Sequence, residues 1–196
     1  MKRFRLLFLL LTVVLLGWVA ASAAAQTARL LPETYVSDDE SMTLRYPTGW
    51  VVESEQPGLF IVATSEDMLD LGNENVPAGE AAVAVLFSNA DDQYLREYFV
   101  GDDPAAVLDN IIKTLFSSNT DINVEFTNPT GTIFNDLPAA RSDGLFMGNH
   151  VFLMVNALGN DVYSLIIGIT TVSELDKFEP KLLAIAESVN YQPPGE

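Results

Sequence analysis

The chain sets many short strand-forming segments around only two helical ones, and that ordering limits the folds open to it. Met42-Thr43-Leu44-Arg45-Tyr46 alternates apolar and polar residues, the period of a half-buried strand. Thr34 to Ser37 forms a short strand before it, with Asp38-Asp39-Glu40-Ser41 as the turn between them. Pro47-Thr48-Gly49 then bends the chain, so that Trp50-Val51-Val52-Glu53 starts a return strand. Leu59 to Ala63 and Ala81 to Phe87 are apolar runs suited to buried strands, separated by a helical turn at Glu66 to Leu71 and a loop at Asn73 to Gly79. Four more strands are expected at Asn123 to Thr127, Gly131 to Phe134, Pro138 to Ser142 and His150 to Ala157. Gly159-Asn160-Asp161 makes a hairpin turn into Val162 to Thr170, rich in β-branched residues. Crossovers that would enforce parallel pairing are scarce. The economical solution is an α+β fold, a central antiparallel β-sheet with helices laid on its faces.

The first helix is signed by Asp103 as its cap and Pro104 at the first helical position, where the missing N–H costs nothing. Val107, Leu108, Ile111, Ile112, Leu115 and Phe116 recur at three- and four-residue spacing and form one apolar face. The second helix is expected to start at Pro180, because a proline seven residues after Ser173 disrupts a continuous helix. Its packing residues are Leu182, Leu183, Ile185, Ala186 and Val189.

Outside this pattern lies the N-terminus. Lys2, Arg3 and Arg5 precede an apolar run from Leu6 to Val19 and a small-residue stretch ending at Ala25, the order of a secretory signal peptide. Cleavage is placed after Ala25; the competing reading is a retained anchor, since Leu6 to Ala25 approaches the ~20 residues of a bilayer span. The expected organisation is a signal at 1–25, a polar lead-in at 26–33, one domain at 34–191 and a disordered tail at 192–196. The domain is therefore exported, to a periplasmic or extracellular location, with membrane contact only if the signal stays as an anchor.

Composition excludes several chemistries. Without cysteine there is no disulfide, thiolate metal site or cysteine nucleophile, and His150 is the only histidine. The 27 acidic against 10 basic residues give a net charge of −17, which argues against nucleic acid as a partner. Loss of residues 1–25 removes three basic and no acidic residues, taking the charge from −17 to −20.

Three motifs carry a family resemblance. Met42-Thr43-Leu44-Arg45-Tyr46-Pro47-Thr48-Gly49-Trp50 resembles the opening of the PsbP/Mog1-like family, where a strand ends in an aromatic-proline step and a tryptophan begins the next strand. Asn135-Asp136-Leu137-Pro138-Ala139-Ala140-Arg141 is similar to that family's turn-proline-alanine-arginine segment, and Phe178 to Val189 to its terminal helix with a late serine. The resemblance covers roughly residues 34 to 191 and implies an α/β/α sandwich acting without catalysis. Photosystem members of the family help retain calcium and chloride, and Mog1 members bind a small nuclear GTPase. The Sec-type signal and the lack of basic docking character depart from the photosystem pattern, so that role is not carried over.

Site expectations are modest. His150 lies outside any nucleophile-elbow or metal-ligand spacing, so a structural role is expected of it. Acidic clusters in expected loops suit Ca²⁺, which takes about six to eight hard oxygen ligands. Asp38, Asp39 and Glu40 with Asp102 and Asp103 are the foremost contributors, against the plainer reading of a solvated acidic surface. Tyr46, Trp50 and Phe60 could line a ligand cleft, although core packing is the commoner fate of such aromatics. The leading expectation is a non-enzymatic domain engaging a protein partner or small ligand through one face of its sheet, with no required cofactor. Its competitors are a calcium-binding extrinsic protein and a hydrolase. A deep pocket joining His150 to two carboxylates would favour the enzyme; a filled core beside an exposed apolar or acidic patch would favour binding.

Overall fold

Strand pairing follows the sequence closely, but the strands divide between two sheets. The computed structural model describes residues 30–38, 40–56, 58–70, 76–88, 97–116, 124–159 and 162–192. The expected signal peptide, Asp39 and tail residues 193–196 lie outside the described residues. The large sheet has eight strands: β3 (Val51–Gln56), β4 (Leu59–Ala63), β5 (Ala81–Phe87), β6 (Val124–Phe126), β7 (Thr130–Phe134), β8 (Leu137–Phe146), β9 (Asn149–Gly159) and β10 (Val162–Thr171). Its order is β3-β4-β5-β10-β9-β8-β6, with β7 also paired to β8. A small sheet joins β1 (Glu33–Val36), β2 (Met42–Tyr46) and β11 (Asn190–Tyr191), in the order β1-β2-β11. All of these pairings are antiparallel.

The expected return strand is thereby corrected. β3 does not run back beside β2; it pairs with β4, while β2 is flanked by β1 and β11. The Pro47–Trp50 turn, closed by the Trp50 N–H donating to the Pro47 carbonyl at 3.2 Å, carries the chain from one sheet to the other. Pairing between distant segments is a tertiary outcome that a local bend cannot reveal.

Both faces of the large sheet are buried over its central strands, through two-residue alternation. Along β9, Phe152 and Met154 enter one core while Val151, Leu153 and Val155 enter the other. Helix α1 (Pro104–Ile111), continued by wider π-type turns over Ile112–Phe116, covers the second face with Val107, Leu108 and Ile111. The Asp103 carboxylate accepts from the Ala106 N–H at 2.9 Å, the expected cap. Helix α2 (Leu175–Glu187) and the small sheet cover the first face, with Met42, Leu44, Phe178, Leu182 and Ile185. The result is an α+β sandwich whose central strands are buried on both sides. The one-face surface expected for a partner is therefore not offered by the central strands, whereas β7 is exposed except at Phe134. Leu31, within the expected polar lead-in, is also wholly buried in the first core.

The expected break at Pro180 does not occur, since α2 runs unbroken from Leu175 with Pro180 inside it. A proline so near the N-terminus removes one bond, to the carbonyl of Asp176, and leaves later turns intact. Phe178, only 3% exposed, lies in the turn before the proline, so burial holds that turn helical. At the other end the late serine acts as a clamp. The Arg45 N–H donates to Ser188 Oγ at 2.9 Å, and Ser188 Oγ donates to the Ile185 carbonyl at 2.7 Å, tying the end of α2 to β2.

Glu174, just ahead of α2, provides a pH-dependent tie. It accepts from the Gly79 N–H and from Lys177, and these bonds hold its carboxyl below the usual glutamate range. A lowered folded pKa gives a contribution that is present above the ordinary value and lost as pH falls through the lowered one. Glu174→Gln should therefore cost stability near neutrality, with the difference from wild type vanishing at acid pH. Denaturant midpoints of both proteins between about pH 3 and 7 check this, and a constant difference across that range would refute it.

Candidate functional site

Two polar or concave features stand out, one on each side of the sheet. On the α2 side, Arg141 and Asp143 project from β8, His150 from β9 and Glu179 from α2. Arg141 grips both oxygens of Asp143, with Nε to Oδ2 at 2.9 Å, and also pairs with Glu179. Its guanidinium lies 4.9 Å from the centroid of the Phe152 ring. Burial works against its charge, but the bonds from Asp143 and Glu179 outweigh that and hold the group above its ordinary value. His150 Nε2 lies 3.3 Å from Asp143 Oδ1, and its Nδ1 is buried with no hydrogen-bond partner.

This quartet gathers one histidine and two carboxylates, the set that would have favoured an enzyme. The carboxylates, however, are spent on Arg141, which sits between them. The Arg141–Glu179 pair fastens α2 to β8, with His150 beside Asp143 at its margin.

The other feature lies on the α1 side. β7 pairs with β8 through a two-residue loop, Asn135-Asp136, whose φ values of 51° and 63° are those of a left-handed hairpin turn. The strand reads Thr-Gly-Thr-Ile-Phe, and all but Phe134 are exposed. Between it and the start of α1 is an open groove of about 430 Å³, lined by Asp103, Pro104, Ala105, Gly131, Thr132, Ile133, Pro138 and Ala139. Its walls are mainly apolar, its one charged lining residue is an acid, and Ile133 is 67% exposed.

The expected site residues fall mostly elsewhere. Phe60 is 1% exposed and belongs to the first core, against which half-buried Tyr46 and Trp50 pack. The Trp50 ring centroid lies 6.1 Å from that of Phe178. Of the acidic set, Asp38 and Glu40 are exposed in the β1–β2 turn of the small sheet, whereas Asp102 and Asp103 are exposed before α1 on the opposite side of the large sheet. These two groups are therefore not brought together. Among the described residues, no three acidic or histidine side chains converge as a metal-binding group. The groove was missed from sequence, although Asn-Asp between strand segments signals a tight hairpin and a short Thr- and Gly-rich strand signals a sheet edge.

No family model matches the sequence, and no curated protein is similar to it in sequence. Solved structures are similar in fold. Cyanobacterial PsbP (CyanoP) from Synechocystis matches with a TM-score of 0.50 at 15% identity, over 82% of this chain and 92% of that one. The Saccharomyces cerevisiae Ran-binding protein Mog1p gives 0.48 at 11% identity, over 81% and 94%. LpqN of Mycobacterium tuberculosis, involved in cell envelope biogenesis, gives 0.46 at 12%, over 82% and 90%. The likeness to the cyanobacterial protein shows the architecture that the three sequence motifs anticipated: this chain has a PsbP-like fold.

Proposed function

We propose that this chain is an exported, non-enzymatic binding domain that engages a protein partner. The observation that supports it best is the distribution of surfaces. The central strands are covered by core on both faces, Asp143 and Glu179 are paired with Arg141 beside His150, and an apolar groove with an acidic residue lies open beside a sheet edge. Such a surface suits association better than chemistry, which needs a reactive group accessible to substrate. Export rests on the basic, apolar and small-residue order of residues 1–25. Among the described residues no helix is long and apolar enough to cross a membrane. With a net charge of −17, the partner is expected to be basic or to meet the protein through uncharged surface.

Affinity capture with the mature domain from its native host tests the reading. A specific protein should be retained at physiological salt and released by competing untagged domain. Recovery of nothing beyond the background of an unrelated acidic protein would sink it.

A further inference from the structure

We infer that the outer edge of β7 is a strand-addition site for an extended segment carrying an apolar and a basic residue on one face. This deepens the binding reading above and rests on it.

The argument starts from hydrogen-bond geometry. In the Asn135-Asp136 turn, Phe134 and Leu137 are the closing pair, so the Phe134 carbonyl faces the Leu137 N–H. Backbone polar groups alternate in direction along a strand. Phe134, Thr132 and Thr130 therefore direct theirs toward β8, while Ile133 and Gly131 direct theirs outward. Each outward residue offers one donor and one acceptor. Among the described residues, no backbone bond to Gly131 or Ile133 comes from outside the β7–β8 pair.

Side-chain direction then defines the occupant. Gly131 pairs with Ala140 and Ile133 with Pro138, and Ala140 belongs to the α1-side core, so Ile133 projects toward the α1 side of the sheet. A strand added beside β7 would present alternate side chains to the same side. One of them would lie against Ile133 and the apolar surface of Pro104 and Ala105 in the groove. A neighbour two residues along would approach Asp103, whose carboxylate uses one oxygen to cap α1. No basic residue lines the groove, so a lysine or arginine there complements it, in keeping with the acidity of the whole chain. A Cβ built on Gly131 meets no described atom within 4 Å, so the α1-side face on which the added strand's side chains would lie is open there. Self-pairing of two copies would set like charges against each other, which makes a basic partner the better occupant. Main-chain bonds supply affinity in such additions and the alternate side chains supply specificity.

The probe is a capped peptide with valine, lysine and valine at alternate positions among threonines, added to the protein and followed by amide hydrogen exchange. The Gly131 and Ile133 amides should gain protection on binding, whereas Thr132, already bonded to β8, should not change. N-methylation of the peptide's alternate amides should abolish binding in one phase and spare it in the other. Glutamate in place of lysine, or Ile133→Lys in the protein, should each weaken binding about tenfold. Several results would overturn the inference: no peptide binding, protection elsewhere, equal loss in both N-methyl phases, or self-association that protects these amides without peptide. A captured partner that leaves Gly131 and Ile133 exchanging freely would overturn strand addition yet keep the broader reading. Peptide binding at this edge with no captured partner would do the reverse.

Discussion

Phe178→Ala should lower the stability of the domain by about 3–5 kcal/mol, the usual cost of deleting a buried aromatic ring. Phe178 is 3% exposed, and its ring meets Trp50 at 6.1 Å between centroids. Lys177 Nζ lies 4.3 Å from the same centroid, so an amphipathic cover is lost with the ring. Phe178 is also the main buried residue in the turn ahead of Pro180, where the helix lacks a backbone bond. Its loss should therefore fray the start of α2 as well as leave a cavity. Thermal melts should show a midpoint lower by about 10 °C. Trp50 is the only tryptophan after residue 18, so its emission should shift to the red as water reaches the ring. Phe178→Leu, which keeps most of the volume, should cost less than about 1.5 kcal/mol. If the alanine variant lost under about 1 kcal/mol, the cover over this end of the first core would be wrongly described.

Gly168→Ala is expected to cost about 3 kcal/mol although it adds a single methyl group, at the upper end of the usual cost of overpacking. Gly168 in β10 lies directly opposite Phe152 in β9, and the Phe152 ring lies across it. A Cβ on Gly168 would fall against Cε1 and Cζ of that ring, well inside van der Waals contact. The ring has nowhere to go, because Phe152 is 1% exposed and the Arg141 guanidinium lies over it. Alanine otherwise suits a strand better than glycine, so propensity alone gives the opposite sign. The double variant Gly168→Ala/Phe152→Leu should lose less than the sum of its singles, and a thermodynamic cycle from denaturant midpoints reads that coupling. Additive losses would show that the ring and the glycine are not in the proposed contact.

How far the sequence reached differs from element to element. Met42–Tyr46, Leu59–Ala63 and Ala81–Phe87 have the bounds that their patterns indicated, because a strand's period and flanking turns are local properties. The Asp103 cap with Pro104 behind it was equally local and is present at the expected bond. At Pro180 the intrinsic cost of proline in a helix is offset by the burial of Phe178, which local sequence does not show. At Trp50 the bend specifies that the chain changes direction, not which strand it then joins. The pairing of Arg141 with Glu179 joins segments far apart in the chain and leaves no local trace.

Residue order alone specifies the period of most strands, the start of α1, the net acidity of the chain and the exclusion of thiol and multi-histidine chemistry. Those depend on residue type and near neighbours. Tertiary packing was needed to place β2 outside the main sheet, to cover both faces of the central strands, and to leave the outer backbone of β7 unpaired among the described residues. Pairing and burial are properties of the whole chain. A strand's pattern specifies which side chains alternate, whereas its neighbours are set by where burial of every other segment leaves room.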